Sequence, residues 1–272
     1  MTPQSTVDLH VHSTASDGRN TPAEVVRIAL ELGLSTIALT DHDTTAGLPE
    51  AQSTAAGHDL KVLNGIELSS ESDVGEVHIL GYCIDPGHDG LQSMLRKLRD
   101  ARLDRARRMV DKLRDLGVVI DWERVQALAG EGAIGRPHVA RALKEAGRVR
   151  TLREAFDRWI ANDGPAYVPR FRLTPEAAIA LIRQAGGVAV LAHPALSGNL
   201  SLVPQLAGAG MSGLEVYYPE HSPSDQEKLL ALCQQYDLFP TGGSDFHGLA
   251  HDGHAPMASV AVPPEVVQHL PC

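Results

Sequence analysis

TVDLHVHS (residues 6–13) alternates in character, with Val7, Leu9 and Val11 on one face and Asp8, His10 and His12 on the other. A period of two predicts a strand that presents two imidazoles side by side. A Ser/Asp/Gly loop follows, then Asn20-Thr21-Pro22 supplies a helix cap with proline in the first turn, and Val25, Ile28, Ala29 and Leu32 form a stripe that Gly33 stops. The strand-then-helix pattern recurs, with strands expected at 35–39, 61–66, 77–81, 187–192, 214–217 and 238–241 and helices at 44–56, 174–185 and 225–235. Short apolar strands alternating with helices predict a parallel sheet covered on both faces, most simply a barrel of α/β units.

The alternation stops between about 91 and 165, where the periodicity is helical throughout. Leu91, Met94, Leu95, Leu98, Ala106, Met109, Val110 and Leu113 mark one long amphipathic helix, with shorter ones expected at 122–129, 137–146 and 152–161. The segment reads as a helical insertion domain, 91–165, within a barrel made of 1–90 and 166–272, bounded by Pro86-Gly87 and Gly164-Pro165. Nine Lys/Arg against three Asp between Arg96 and Arg114 read as a solvated helix face, with a nucleic-acid face as the alternative.

The 272 residues, 43% hydrophobic and 21% charged, are enough for a substantial core and exclude a disordered or collagen-like chain. The net charge of −10 leaves no chain-wide positive field for nonspecific binding to nucleic acid or an acidic membrane. Cys83, Cys233 and Cys272 are odd in number and far apart, which suits neither a disulfide framework nor a CxxC zinc site. No basic region followed by an apolar stretch opens the chain, and its densest apolar run, around 188–192, is too short to span a bilayer. A cytoplasmic, unexported protein with no membrane contact is expected. Thirteen histidines against four Phe, five Tyr and two Trp are the anomaly in the composition.

Those histidines gather with carboxylates at the expected ends of strands, where parallel α/β barrels place their chemistry. In chain order they are His10 and His12 in DLHVHS, Asp17, Asp41-His42-Asp43, Glu67 in GIELS, His78 in EVHILGY, His193 in LAHP, and Asp245 and His247 in GGSDFHG. Imidazole and carboxylate without cysteine suit Zn, Mn or Fe(II). Nine of these, Asp41 and Asp43 apart, exceed the needs of one ion and fit two or three if a carboxylate bridges, an arrangement suited to phosphoryl hydrolysis. Metal-dependent hydrolysis follows from the residue types.

DLHVHS, TDHD at 40–43, GIELS, AHP and SDFHG, in this order, resemble the PHP (polymerase and histidinol phosphatase) domain metallophosphoesterases over nearly the whole chain. The resemblance implies a distorted (β/α)7 barrel and two or three divalent ions, most simply Mn2+, with Zn2+ or Fe2+ also accepted by these ligands. It further implies one ion on His10, His12, Glu67 and Asp245, a second on Glu67, His78 and His193, and a third on Asp17, His42 and His247. Within the family the chain resembles small bacterial enzymes that remove the 3′ phosphate of nucleoside 3′,5′-bisphosphates and degrade short RNA from the 5′ end. That branch implies a nucleotide or short oligoribonucleotide as partner and Glu67 and Asp245 as catalytic ligands. GRPHVARAL (135–143) and GPAYVPRF (164–171) carry this narrower resemblance.

Arg136 and Arg170 are expected phosphate clamps, because a guanidinium matches phosphate with two parallel hydrogen bonds and stays charged. His221 in YYPEHS is a candidate phosphate contact or proton donor to the leaving oxygen, and His138 a candidate phosphate contact, each with a structural role as the alternative. Asp43 is expected to orient a ligand histidine, while Glu215 and the histidines at 58, 88, 251, 254 and 269 take structural or surface readings. No Gly-rich phosphate loop of nucleotide-cofactor spacing is present. A histidinol-phosphate phosphatase is the alternative enzyme, and a non-catalytic metal-binding scaffold the alternative of another class.

Overall fold

A register shift in the first strand decides which way its side chains point. The computed structural model describes residues 5–129, 134–169, 171–196, 198–248 and 255–272. In it β1 (Val7–Val11) pairs in parallel with β2 (Thr36–Leu39), and the pairing slips between Asp8 and Val11. Val7 and Leu9 therefore pack in one core cluster, with Leu63, Leu80 and Val190, while Val11 packs in another, with Val25, Val26 and Ala29 of α1 (Pro22–Glu31). The expectation of a single face for Val7, Leu9 and Val11 is corrected, because an irregularity in the ladder re-aims the residues beyond it.

Among the described residues seven strands form one sheet in chain order. After β2 come β3 (Lys61–Ser72), β4 (Gly75–Tyr82), β5 (Val188–Leu191), β6 (Gly213–Tyr217) and β7 (Phe239–Gly242). Beyond β7 the chain returns to β1: the His12 N–H donates to the Phe246 carbonyl at 2.9 Å and the Phe246 N–H to the His10 carbonyl at 3.3 Å. The result is a distorted α/β barrel, but the sheet is mixed. β4 runs antiparallel to both β3 and β5. Only Asp73 and Val74 separate β3 from β4, and so short a connection can join only antiparallel neighbours, since a parallel pair needs a crossover.

The outer helices include α1, α2 (Leu48–Ala55), α7 (Pro175–Gln184), α8 (Val203–Gly208) and α9 (Pro223–Tyr236). α1 starts where its cap predicts: Thr21 accepts from the Glu24 N–H, and the Thr21 N–H donates to the Glu24 carboxylate. α2 starts four residues later than the expected 44, because Asp43 takes a left-handed φ of 52° and donates its N–H to the Glu67 carbonyl.

Two compact units divide the chain, Met1–Gln92 with Arg172–Cys272, and Ser93–Phe171. The first helix of the second unit's sequence, α3 (Asp89–Asp115), is followed by α4 (Trp122–Ala129), α5 (Arg136–Glu145) and α6 (Leu152–Ala155), which runs on as a π-helical turn over Phe156–Ile160. Val110, Leu113, Val125, Val139, Leu143 and Ile160 form its core. The expected boundary at 165/166 falls six residues short of this unit's end. Ala166 lies in the helical core, and the carbonyls of Val168 and Tyr167 accept from Arg105 and Lys112. Arg105 is therefore a packed side chain over the Tyr167 ring, so the basic stretch 96–114 is not uniformly a solvent face.

Cys83 and Cys272, 189 residues apart, form a disulfide with a Cα–Cα separation of 5.6 Å, which corrects the expectation of unpaired thiols. Spacing along the chain says nothing about a pair that the fold brings together: Val266 and Leu270 pack in the cluster of Leu80 and Tyr82 and return the tail to the end of β4. Cys233 remains a buried thiol. Among the described residues no helix is long and apolar enough to cross a membrane.

Candidate metal centre

Glu67 is the hub of the site. It lies within β3, which extends five residues past it, rather than at a strand end, and is 1% exposed. Its Oε2 is 3.2 Å from His10 Nε2, 3.2 Å from His12 Nε2 and 3.1 Å from His42 Nδ1. Its Oε1 is 2.8 Å from His78 Nδ1 and 3.3 Å from His193 Nε2. His78 reaches the hub because antiparallel β4 sets it opposite Ser69, two residues beyond Glu67. Asp245 Oδ1 lies 3.3 Å from His10 Nε2 and 3.1 Å from His12 Nε2. On the outer side His247 Nε2 is 3.3 Å and His42 Nε2 3.8 Å from the Asp17 carboxylate.

The side chains fit divalent metal. Nitrogens Nδ1 and Nε2 of His12, Nδ1 of His42 and Nδ1 of His78 are buried yet make no hydrogen bond among the described residues, although a carboxylate oxygen stands close to most of them. Separations of this size also match ligand atoms that share an ion: bonds of about 2.0–2.2 Å at tetrahedral to octahedral angles put neighbouring ligands about 2.8–3.6 Å apart. Three overlapping groups converge within 4.8 Å, namely His12, Asp17, His42 and His247; His10, His12 and Glu67; and His42, Glu67 and His78. Seven of the nine expected ligands fall in these groups, and His193 and Asp245 stand within 3.3 Å of Glu67 and of His10 and His12 respectively; His12 and His42 each face two groups where one apiece was expected.

The electrostatics express a demand for positive charge. Burial disfavours the imidazolium of His12, yet Asp245 and Glu67 outweigh it and raise the group to about 9. His78 goes to about 10, where Glu67 overcomes the same penalty. At His42 burial wins and the group falls to about 3. Burial opposes the charges of Glu67 and Asp245, but the surrounding imidazoles hold both well below the ordinary carboxylate range.

A supporting layer holds these candidate ligands in place. The Nδ1–H of His10 donates to Glu215 Oε1 at 2.8 Å, which leaves Nε2 as the lone pair facing Glu67, and Glu215 Oε2 accepts the His193 N–H at 2.7 Å. Glu215, read from sequence as structural, therefore holds two candidate ligands. Its sequence signal was a carboxylate in the middle of an apolar strand, GLEVY, where full burial requires a partner. Tyr218, which sequence reasoning missed, donates its hydroxyl to Asp245 Oδ2 at 2.9 Å. Asp43 accepts the Ser69 N–H at 2.9 Å and so ties its loop to β3, and Asp41 accepts from the Ser13 N–H and from the Ser13 and Ser16 hydroxyls in the loop that carries Asp17. His193 and Asp245 adopt left-handed φ values of 30° and 53°, strained backbone of the kind that surrounding contacts must sustain. Gly243 passes so close to His10 that a Cβ would lie 2.4 Å from its backbone nitrogen.

His221, His138 and Arg136 have partners of their own. His221 is 5% exposed, its Nδ1–H donates to the Val216 carbonyl at 2.9 Å, and its ring packs on Tyr218 at 5.2 Å. Its ring stands beside Tyr218, and its Nε2 is buried with no hydrogen-bond partner among the described residues. His138 accepts the Gly135 N–H on Nδ1 at the start of α5, and burial with Arg141 nearby lowers its pKa, so it favours the neutral form. Arg136 donates to the Asn162 side-chain oxygen at 3.0 Å and lies 5.8 Å over the Phe156 ring. Arg170 lies outside the described residues.

Comparison with known proteins agrees with this geometry. The PHP domain family matches residues 8–161. The 5'-3' exoribonuclease Rnm of Salmonella typhimurium is 37% identical over 88% of this chain and 84% of its own length. The 3',5'-nucleoside bisphosphate phosphatase of Chromobacterium violaceum is 35% identical over 95% of this chain and 93% of its own. A crystal structure from Bifidobacterium adolescentis, assigned as a metal-dependent phosphoesterase, superposes with a TM-score of 0.82 at 33% identity over 99% of this chain and 96% of that one.

Proposed function

This chain belongs to the PHP family of metal-dependent phosphoesterases, and we propose that it removes the 3′ phosphate of nucleoside 3′,5′-bisphosphates, converting adenosine 3′,5′-bisphosphate to AMP and phosphate, and trims short RNA from its 5′ end. The carrying observation is the Glu67 hub, a buried carboxylate faced by five imidazoles, taken with near full-length similarity to a bisphosphate phosphatase and an exoribonuclease. Two or three divalent ions, most simply Mn2+, bound by His10, His12, Asp17, His42, Glu67, His78, His193, Asp245 and His247, would activate water and neutralise the phosphoryl oxygens.

The chain's own residues do the rest. Glu67 and Asp245 keep fixed negative charge in a water-poor interior, and Glu215 holds His10 in the tautomer whose Nε2 points inward. The leaving 3′ oxygen takes its proton from water or from His221, whose Nδ1 is held by the Val216 carbonyl and whose Nε2 has no partner among the described residues. The second phosphate of the substrate needs its own cation. Arg136 supports that assignment: an aromatic face and a neutral amide position its guanidinium, and neither cancels its charge. Arg170 is assigned the same duty from sequence.

The test is phosphate release by metal-loaded protein from a panel of nucleoside bisphosphates, simple monoesters, histidinol phosphate and short 5′-phosphorylated RNAs. Bisphosphates should exceed monoesters in kcat/KM by about 10- to 150-fold, the worth of a charge-assisted contact of about 1.5–3 kcal/mol. Preference for histidinol phosphate would overturn the substrate, and no turnover of any ester would leave a metal-binding scaffold.

A further inference from the structure

Asp245 is tied down through an oxygen that faces no imidazole. Its Oδ1 stands 3.3 Å from His10 Nε2 and 3.1 Å from His12 Nε2, with His247 Nδ1 at 3.5 Å, while its Oδ2 accepts the Tyr218 hydroxyl at 2.9 Å. Asp245 sits on left-handed backbone just beyond β7, so its own chain gives it little rotational restraint from a regular ladder. Tyr218 has the opposite character. It follows β6 directly, is 8% exposed, and its ring is clasped between His193 at 5.5 Å and His221 at 5.2 Å. His221 is anchored in turn by the Val216 carbonyl. A rigid phenol therefore meets a carboxylate whose backbone is irregular.

We propose that Tyr218 is a positioning residue that commits Asp245 to metal ligation through Oδ1 alone, its phenol holding Oδ2 out of the coordination sphere. This rests on the reading of Asp245 as a ligand. The chemistry suits the task. A phenol donates one hydrogen bond without bringing positive charge, so the carboxylate keeps its full charge for the cation, and an oxygen engaged by a donor is a poorer chelating partner. A lysine or arginine there would compete with the metal. The buried imidazole of His221 acts as the wall behind the ring, which accounts for its place so near the centre and yet outside the ligand group.

The experiment measures metal retention, not turnover alone. Tyr218→Phe keeps the ring and removes only the hydroxyl; Asp245→Asn removes the ligand charge. Manganese or zinc is titrated against a chromophoric chelator for the wild type, both single variants and the double variant, with circular dichroism and melting temperature recorded for each. Tyr218→Phe should bind one ion about 10- to 100-fold more weakly, the usual effect of removing a group that orients a ligand, while retaining native circular dichroism. The double variant should bind no more weakly than Asp245→Asn, because the phenol acts through that carboxylate. Wild-type affinity in Tyr218→Phe, or a merely lower melting temperature with wild-type affinity, overturns the positioning role. Additive losses in the double variant overturn it as well. Wild-type affinity in Asp245→Asn refutes instead the assignment of Asp245 as a ligand.

Discussion

Glu67 and Arg136 carry their charges under opposite conditions. Glu67 is buried among imidazoles, with Glu215, Tyr218, Asp41 and Asp43 arranged behind it and its neighbours. Arg136 belongs to a helical unit that carries surface ion pairs such as Arg158–Glu154 at 2.8 Å and Arg124–Glu145 at 2.6 Å. Exposed pairs of that kind are worth at most about 1 kcal/mol, whereas a charge buried without its partners costs several. The barrel therefore concentrates chemistry where errors of position are expensive, and the helical unit displays cations that tolerate change.

The sharpest way to break this contrast is to remove charge at the hub. Glu67→Gln should lower turnover by about 10^3-fold or more, the range seen when fixed transition-state electrostatics are lost, and should also lose metal; normal turnover with normal metal content would show that Glu67 is not the hub. Chelation should abolish turnover and destabilise the fold, by about 2.7 kcal/mol if the free ion stood at 100 times its Kd, and an unchanged thermal unfolding curve after complete demetallation, verified by elemental analysis, would refute that coupling.

Arg136→Ala should come next, with kcat/KM for a nucleoside bisphosphate falling about 10- to 150-fold and that for a small monoester falling far less. Equal losses on both substrates would mean that the guanidinium supports the fold and not the second phosphate. Glu215→Gln sharpens the comparison from the other side. It leaves every ligand in place but should weaken metal affinity about 10- to 100-fold, measurable by chelator competition; full affinity would reduce the supporting layer to packing. The smallest effect is expected from neutralising the exposed Arg96, Lys97 and Arg99 together. Stability should change by no more than about 0.5 kcal/mol per site in denaturant titrations, and mononucleotide hydrolysis should be unaltered. A loss confined to RNA would make this stretch an RNA contact.

The two regions also differ in how they could be read. DLHVHS, TDHD and SDFHG announce candidate ligands by residue type alone, since few other roles gather histidine and aspartate at successive strand ends. α3 and α4 were legible because a helix repeats its apolar face every three or four residues, as Ala106, Val110 and Leu113 do. The direction of β4 could have been inferred from the two residues before it. Glu215 and Tyr218 carried no comparable local signal: a lone carboxylate in an apolar strand and a tyrosine after it are compatible with many roles.

Local periodicity and residue chemistry thus determined the α/β class, the helical insertion and a divalent-metal hydrolase with its nine candidate ligands, because each is written within a window of a few residues. Only the tertiary structure decided that Glu67 lies at the centre, that His12 and His42 each face two groups, that Glu215 and Tyr218 stand behind the ligands, and that Cys83 meets Cys272. All of these depend on atoms that the chain separates by tens to hundreds of residues and that strand register, set by burial of the whole sheet, brings within a few ångströms.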